Sequence, residues 1–330
     1  MSAAINVVGG GAWGTALANA AAAAGHPVTL WLRDARAAAA LQAERENPRY
    51  LPGVPLHPAI DATANPEKLA DARATLLVVP AQTVRGVLES LRAPLASAGP
   101  VILCAKGIER GTDSFMSAVA AEVLPPDTPV AVLSGPSFAA DVARGLPTAV
   151  TLAAADPGLA ASLSALLSGP SLRLYHTDDV RGVEIGGAGK NVLAIACGIV
   201  AGRGLGESAR AALIARAFAE LMRFAKGFGG RPETLMGLSG LGDLVLTASS
   251  PQSRNFAFGQ RLGAGAPPEE AAGGKLAEGA FTAAALAGLA AAQGVEMPVA
   301  QAVAAIVAGT AGVDDVVAGL LARPLRGETD

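Results

Sequence analysis

Lys106, Lys190 and Arg254 are the cationic side chains whose local patterns best suit chemistry. Lys106 directly follows the apolar run Val101–Ala105. A lysine at the carboxyl end of a core strand can meet a phosphate or a developing oxyanion, although a surface lysine has the same local context. Lys190 lies in Gly186-Gly187-Ala188-Gly189-Lys190-Asn191. A glycine-rich, apolar setting removes water from an ammonium and disfavours its charge, which suits a general base near neutral pH. Arg254, in Gln252-Ser253-Arg254-Asn255, offers a rigid donor fork matched to phosphate, with Ser253 and Asn255 as neutral donors. Ten residues before Ser253, Asp243 in Gly240-Leu241-Gly242-Asp243-Leu244 can orient a lysine or hold its charge. Asp243 and Ser253 serve equally well as helix caps.

A second group of residues handles phosphates of another kind. Ile5-Asn6-Val7-Val8 runs into Gly9-Gly10-Gly11-Ala12-Trp13-Gly14 and then into the alanine-rich Thr15-Ala16-Leu17-Ala18. Strand, G-x-G-x-x-G and helix in that order form a dinucleotide-binding turn: Gly9 allows the tight bend, Gly11 the approach of a pyrophosphate, and Gly14 close helix–strand packing. The phosphates sit at the helix N-terminus, where unpaired N–H groups and the dipole favour an anion. Arg33-Asp34 follows the second apolar run. An acid there favours the ribose 2′-hydroxyl of NAD and an arginine the 2′-phosphate of NADP, so the pair leaves NAD or NADP open.

Two near-matches fail. Ser134-Gly135-Pro136-Ser137-Phe138-Ala139 turns a serine and backbone N–H groups toward a cleft, but Ala139 replaces the last glycine of a nucleophile elbow, and none of His26, His57 or His176 stands in a signature context. The segment before Lys190 resembles a P-loop, yet Glu184 occupies the first glycine position and Asn191 the magnesium-binding Ser/Thr.

The elements that must position these residues change character along the chain. To about residue 180, short apolar runs alternate with helical stretches: Ile5–Val8, Val28–Leu32, Thr75–Val79, Val101–Ala105, Val130–Leu133, Ala149–Leu152 and Leu172–Tyr175. Continuous apolar strands of this kind predict an α/β, doubly wound, mostly parallel Rossmann-type sheet. Beyond Asp178-Asp179, helical periodicity takes over. Leu213, Ala217 and Leu221 with Ile214, Phe218 and Met222 make one apolar face, with Arg210, Arg216, Glu220 and Arg223 outside it. The expected division is a dinucleotide-binding domain, 1–180, and an all-helical substrate domain, 181–330.

Bulk properties narrow the function classes. The chain has 330 residues, 51% hydrophobic and 16% charged, enough for two cores. Its net charge of −3 argues against nucleic acid or an anionic membrane as main partner. Cys104 and Cys197 lie far apart in apolar runs, so neither a disulfide framework nor a metal site is expected and a reducing cytoplasm is the natural compartment. No secretory segment is expected, since Met1 leads almost at once into a strand. The apolar windows Asn191 to Gly202 and Phe281 to Gly294 fall short of the roughly 20 uninterrupted residues a bilayer needs.

In order, the Gly9–Ala16 turn, Lys106-Gly107, Ser134–Ala139, Gly187–Asn191, Gly240–Leu244 and Ser253-Arg254-Asn255 resemble the bacterial NAD(P)-dependent glycerol-3-phosphate dehydrogenases from residue 5 to about 300. The resemblance implies Lys190 as proton acceptor. It implies substrate contacts at Lys106, Gly135, Ser137, Asp243, Ser253, Arg254 and Asn255. Cofactor contacts fall on Ala12, Trp13, Arg33, Lys106, Ala139, Arg254, Leu276 and Glu278. It further implies production of sn-glycerol 3-phosphate for phospholipid synthesis and a homodimer. Two other functions fit fewer residues: a β-hydroxy-acid dehydrogenase, which would need a carboxylate clamp, and a dinucleotide sensor, which would not need Lys190, Asp243 and Arg254.

Overall fold

Valine, isoleucine and leucine fill the short runs because those strands are covered on both faces. The computed structural model describes residues 4–273, 277–324 and 327. Its strands are β1 (Ile5–Val8), β2 (Val28–Trp31), β3 (Glu46–Asn47), β4 (Leu51–Pro55), β5 (Ile60–Thr63), β6 (Ala74–Leu77), β7 (Val101–Leu103), β8 (Val130–Ser134), β9 (Thr148–Ala154) and β10 (Leu172–Thr177). Eight form one sheet in the order β10-β9-β8-β7-β6-β1-β2-β5, and β3 and β4 pair as a separate hairpin.

From β5 to β8 all neighbours run parallel, so their carboxyl ends share one edge of the sheet. β9 runs antiparallel to β8, and β10 parallel to β9. Every residue of β1, β2, β6 and β7 is buried. Ile5, Val7, Leu30 and Leu76 belong to a core shared with the helices Ala12–Ala23 and Pro157–Leu167, and Val8, Trp31, Leu77 and Leu103 to one shared with Val84–Ser90 and Met116–Val123. Two covered faces are what a doubly wound sheet requires. The seven expected strands all form. β5 and the β3–β4 hairpin are additional, and the reversed direction of β9 and β10 is a detail that an apolar run does not encode.

The chain divides into two compact units, one of residues up to Gly187 with Glu233–Asp243, the other of Ala188–Pro232 and the residues from Leu244 onward. The second unit is helical. Its longer helices are the later part of Val180–Gly202, Glu207–Gly227, Arg254–Gly263, Glu278–Ala292, Pro298–Val307 and Val313–Leu321. A Cβ at Gly198 would lie 2.1 Å from the Phe256 carbonyl oxygen, and one at Gly259 equally close to that of Ile195, so these helices touch backbone to backbone.

Gly186 to Asn191 lies inside the helix Val180–Gly202. Its glycines answer to packing, since a Cβ at Gly186 would come 2.8 Å from the Ser239 carbonyl oxygen and one at Gly189 2.3 Å from Leu221. One expectation needs correction here: Glu220 is not on the solvent side, being only 4% exposed. Its carboxylate accepts from Val299 N at 3.1 Å and so caps the helix Pro298–Val307. At 23 residues, Val180–Gly202 is long and apolar enough to cross a membrane, but 89% of its most apolar window is buried inside the protein.

Candidate functional site

The glycine turn has the geometry a dinucleotide needs. Gly9 has φ +120°, and a Cβ there would come 2.3 Å from the Val78 carbonyl oxygen. A Cβ at Gly14 would come 1.8 Å from the Gly9 carbonyl oxygen, whereas one at Gly11 would meet nothing within 4 Å. Gly11 is the N-cap of Ala12–Ala23, with no side-chain cap. The first amides of that helix, with no side-chain cap and at the positive end of its dipole, are a donor set that fits a pyrophosphate. Ala12 and Trp13 open the helix, half-buried against the core.

Beyond β2, Asp34 caps the helix Ala35–Glu44, its Oδ1 accepting from Arg36 N at 2.8 Å and Ala37 N at 3.3 Å. Arg33 beside it is exposed.

The ends of β7 and β8 build a cationic centre within the first unit. Lys106 Nζ donates to Asp243 Oδ2 at 2.6 Å and to the Gly135 carbonyl oxygen at 2.9 Å. Their side chains are 16% and 2% exposed. With so little water to take over from a missing partner, removing either member costs about 3–5 kcal/mol. Gly135 has φ +147°, and a Cβ there would come 2.8 Å from Val150 Cα, so only glycine fits. Ser137 Oγ donates to the same carbonyl at 3.0 Å. Ala139 begins the short helix Ala139–Ala143. Asp243 is delivered by a π turn, Leu238–Gly242, closed by Gly242 N donating to the Gly237 carbonyl at 3.1 Å. Such a wider turn rotates the next residue relative to a regular helix and is common at functional sites.

A second cluster lies in the helical unit. Lys190, 7% exposed, donates from Nζ to Thr247 Oγ1 at 2.9 Å. Asn255 Nδ2 donates to Asn191 Oδ1 at 2.8 Å, and Asn255 Oδ1 accepts from Gly279 N at 3.0 Å. Ser253 caps the helix Arg254–Gly263, its Oγ accepting from Phe256 N at 3.2 Å. That cap leaves Arg254 exposed on the first turn. Glu278 starts the helix Glu278–Ala292, half-buried, and Leu276 lies outside the described residues.

Thr247 and Asn191 were not singled out from sequence as functional side chains. Thr247 lies one helical turn beyond Asp243, the spacing that puts two residues on one face of a helix, and that spacing was the available signal. Among the described residues no group of three or more His, Cys, Asp or Glu could hold a metal ion. Cys104, just beyond β7, is an inert neighbour, since burial pushes its thiol well above the ordinary range.

Comparison with known proteins agrees with this geometry. The family model described as NAD-dependent glycerol-3-phosphate dehydrogenase N-terminus matches residues 4–160, and the corresponding C-terminus model matches residues 179–318. A Methylobacterium radiotolerans protein named glycerol-3-phosphate dehydrogenase, NAD(P)+, is 90% identical over 326 residues, covering 99% of this chain and 98% of its own. One of the same name from Azorhizobium caulinodans is 59% identical, covering 98% of each chain. Among solved structures, a glycerol-3-phosphate dehydrogenase from Coxiella burnetii superposes with a TM-score of 0.91 at 39% identity, covering 98% of this chain and 99% of its own.

Proposed function

Because the chain belongs to the NAD-dependent glycerol-3-phosphate dehydrogenase family, we infer that its own residues divide the work of one hydride transfer, with Lys190 taking the proton. The enzyme interconverts sn-glycerol 3-phosphate and dihydroxyacetone phosphate with NAD(P). When bound, NAD(P) supplies the acceptor for the C2 hydride, or its donor in reverse. In the oxidation the C2 hydroxyl proton passes to Lys190 Nζ, and in the reduction the resulting ammonium returns it. Lys106 polarises the C2 oxygen, and Asp243 fixes the lysine head group in place. Arg254 holds the substrate phosphate through its planar fork. Asn255 contributes the second hydrogen of its Nδ2, the first being committed to Asn191.

Gly135 and Ser137 shape the floor beside Lys106, and Ser253 acts through the helix end that carries Arg254. The Gly9–Gly14 turn with Ala12, Trp13, Arg33, Ala139 and Glu278 receives the cofactor, and Leu276 joins that set from the family resemblance. One observation carries the assignment of the base: a lysine almost wholly out of water, its Nζ donating to the Thr247 hydroxyl. Lys190→Ala is expected to lower kcat for dihydroxyacetone phosphate reduction by roughly 100-fold or more with little change in cofactor affinity. Near-normal turnover in that variant would overturn the role.

The functional division is 1–180 for the cofactor and 181–330 for substrate, a boundary that the limits of the two family models support. We place the enzyme in the cytoplasm as a homodimer supplying glycerol 3-phosphate for phospholipid synthesis. Two buried cysteines without a disulfide suit a reducing compartment, and sedimentation velocity tests the dimer.

A further inference from the structure

The β3–β4 hairpin lies outside the main sheet, yet it reaches the dinucleotide turn. Asn47, 5% exposed, donates from Nδ2 to the Gly10 carbonyl oxygen at 3.0 Å and to Thr15 Oγ1 at 2.7 Å. Thr15 Oγ1 donates onward to the Gly11 carbonyl oxygen at 2.9 Å. A second tie holds the same partners together, with Asn19 Nδ2 donating to the Pro55 carbonyl at 3.1 Å and Asn19 Oδ1 accepting from His57 N at 3.0 Å. Leu51, Val54 and Leu56 share the core of the helix Ala12–Ala23. The hairpin is thus fastened by two asparagines and three apolar side chains.

We propose that Asn47 is a positioning residue for the cofactor pyrophosphate, setting the direction of the amides in the Gly9–Gly14 turn. In a trans peptide the C=O and the following N–H point in opposite directions, and the described backbone has no cis bond. Holding the Gly10 carbonyl toward Asn47 therefore turns the Gly11 N–H the other way. The Thr15 hydroxyl does the same for the Gly11 carbonyl and the Ala12 N–H. Glycine resists rotation of its peptides less than any other residue, so a run of three needs an outside restraint if its amides are to stay aligned before a ligand arrives. Asn suits the position because both hydrogens of one NH2 group are used. A carboxylate of the same shape would set lone pairs against the Gly10 carbonyl.

The proposal rests on this turn holding the pyrophosphate, so the experiment separates the two. Dissociation constants for NADH and NADPH are measured by fluorescence titration, without substrate, for the full-length enzyme and for Asn47→Ala, Thr15→Val, Thr15→Ser, Gly11→Val and Glu46→Gln, with thermal melting points alongside. Losing one buried donor pair is expected to raise the dissociation constants about 10-fold in Asn47→Ala and in Thr15→Val. Thr15→Ser keeps the hydroxyl and the parental affinity. Glu46→Gln, which alters only the bond to Gly53 N within the hairpin, also keeps it. In Asn47→Ala the KM for dihydroxyacetone phosphate at saturating cofactor stays unchanged, a split that loss of folded protein would not give. If Gly11→Val, whose Cβ would meet nothing within 4 Å, binds as the parent does, the pyrophosphate is not at this turn and both readings fall. If Gly11→Val loses affinity while Asn47→Ala and Thr15→Val keep it, the positioning role alone is overturned. Should Asn47→Ala fail to fold, the contrast of Thr15→Val with Thr15→Ser decides.

Discussion

Asp34 turns one carboxylate oxygen onto the backbone of its own helix, and Arg33 next to it is exposed. A carboxylate with one oxygen on its own helix keeps the other for a ribose hydroxyl, and the guanidinium beside it at the end of β2 can meet a 2′-phosphate. Arg33→Ala is therefore expected to lower kcat/KM for NADPH about 10-fold or more, the scale of a charge-assisted hydrogen bond, while NADH is little affected. Equal losses with both cofactors would show that Arg33 does not read the 2′ position. At this scale the sequence singled out Lys106, Asp243, Lys190 and Arg254, and the structure joins Lys106 to Asp243 and Lys190 to Thr247. Asn47, Thr247 and Asn191 stayed hidden because their roles come from partners 32 to 64 residues away, or from a bond made only after packing. Asp34 carried two meanings in sequence, and only its hydrogen bonds to Arg36 and Ala37 reveal the cap.

Glu220 shows what happens when one element depends on another's side chain. It lies within Glu207–Gly227 but caps Pro298–Val307, and burial pushes its carboxyl up to about 7 despite the backbone bonds from Val299 and Ala300 and the nearby Arg223 and Arg323. The folded protein holds this proton more tightly than the unfolded chain does. Stability from the group is therefore fully present below the ordinary carboxylate range and is lost as pH rises through about 7. Glu220→Gln keeps an acceptor without the charge. It is expected to flatten the fall in melting temperature between about pH 5 and 8, a change of no more than about 3 kcal/mol in stability. An unaltered slope would place the proton elsewhere. Periodicity alone put Glu220 on the wet face, since it assigns every glutamate outward. It also passed over β5, whose Asp61 breaks the apolar run. The glycines before Lys190 lie inside a helix although local propensity disfavours them there, because tight packing against Ser239 and Leu221 overrides that preference.

The molecule as a whole keeps its thiols out of reach. Cys104 and Cys197 are 4% and 1% exposed, and burial pushes Cys197 up to about 12 and Cys104 higher than any thiolate chemistry tolerates. In native protein neither is expected to react with a thiol-specific reagent at neutral pH, and both react after denaturation. Counting labelled cysteines by mass spectrometry checks this, and fast labelling of the native enzyme would reveal local opening. Fold class and the change from strands to helices near residue 180 were legible because they rest on composition and period summed over many residues. Strand direction was not, since a buried strand reads the same either way.

The seam at Gly198 and Gly259 places a limit on how this protein can change. Any substitution from glycine adds at least one carbon, and at these two positions that carbon would lie 2.1 Å from a main-chain oxygen. No side chain stands there to shift aside. Apolar side chains elsewhere in the helical unit can exchange for others of similar volume, but this seam offers no neighbouring variant to step through, so both positions are fixed.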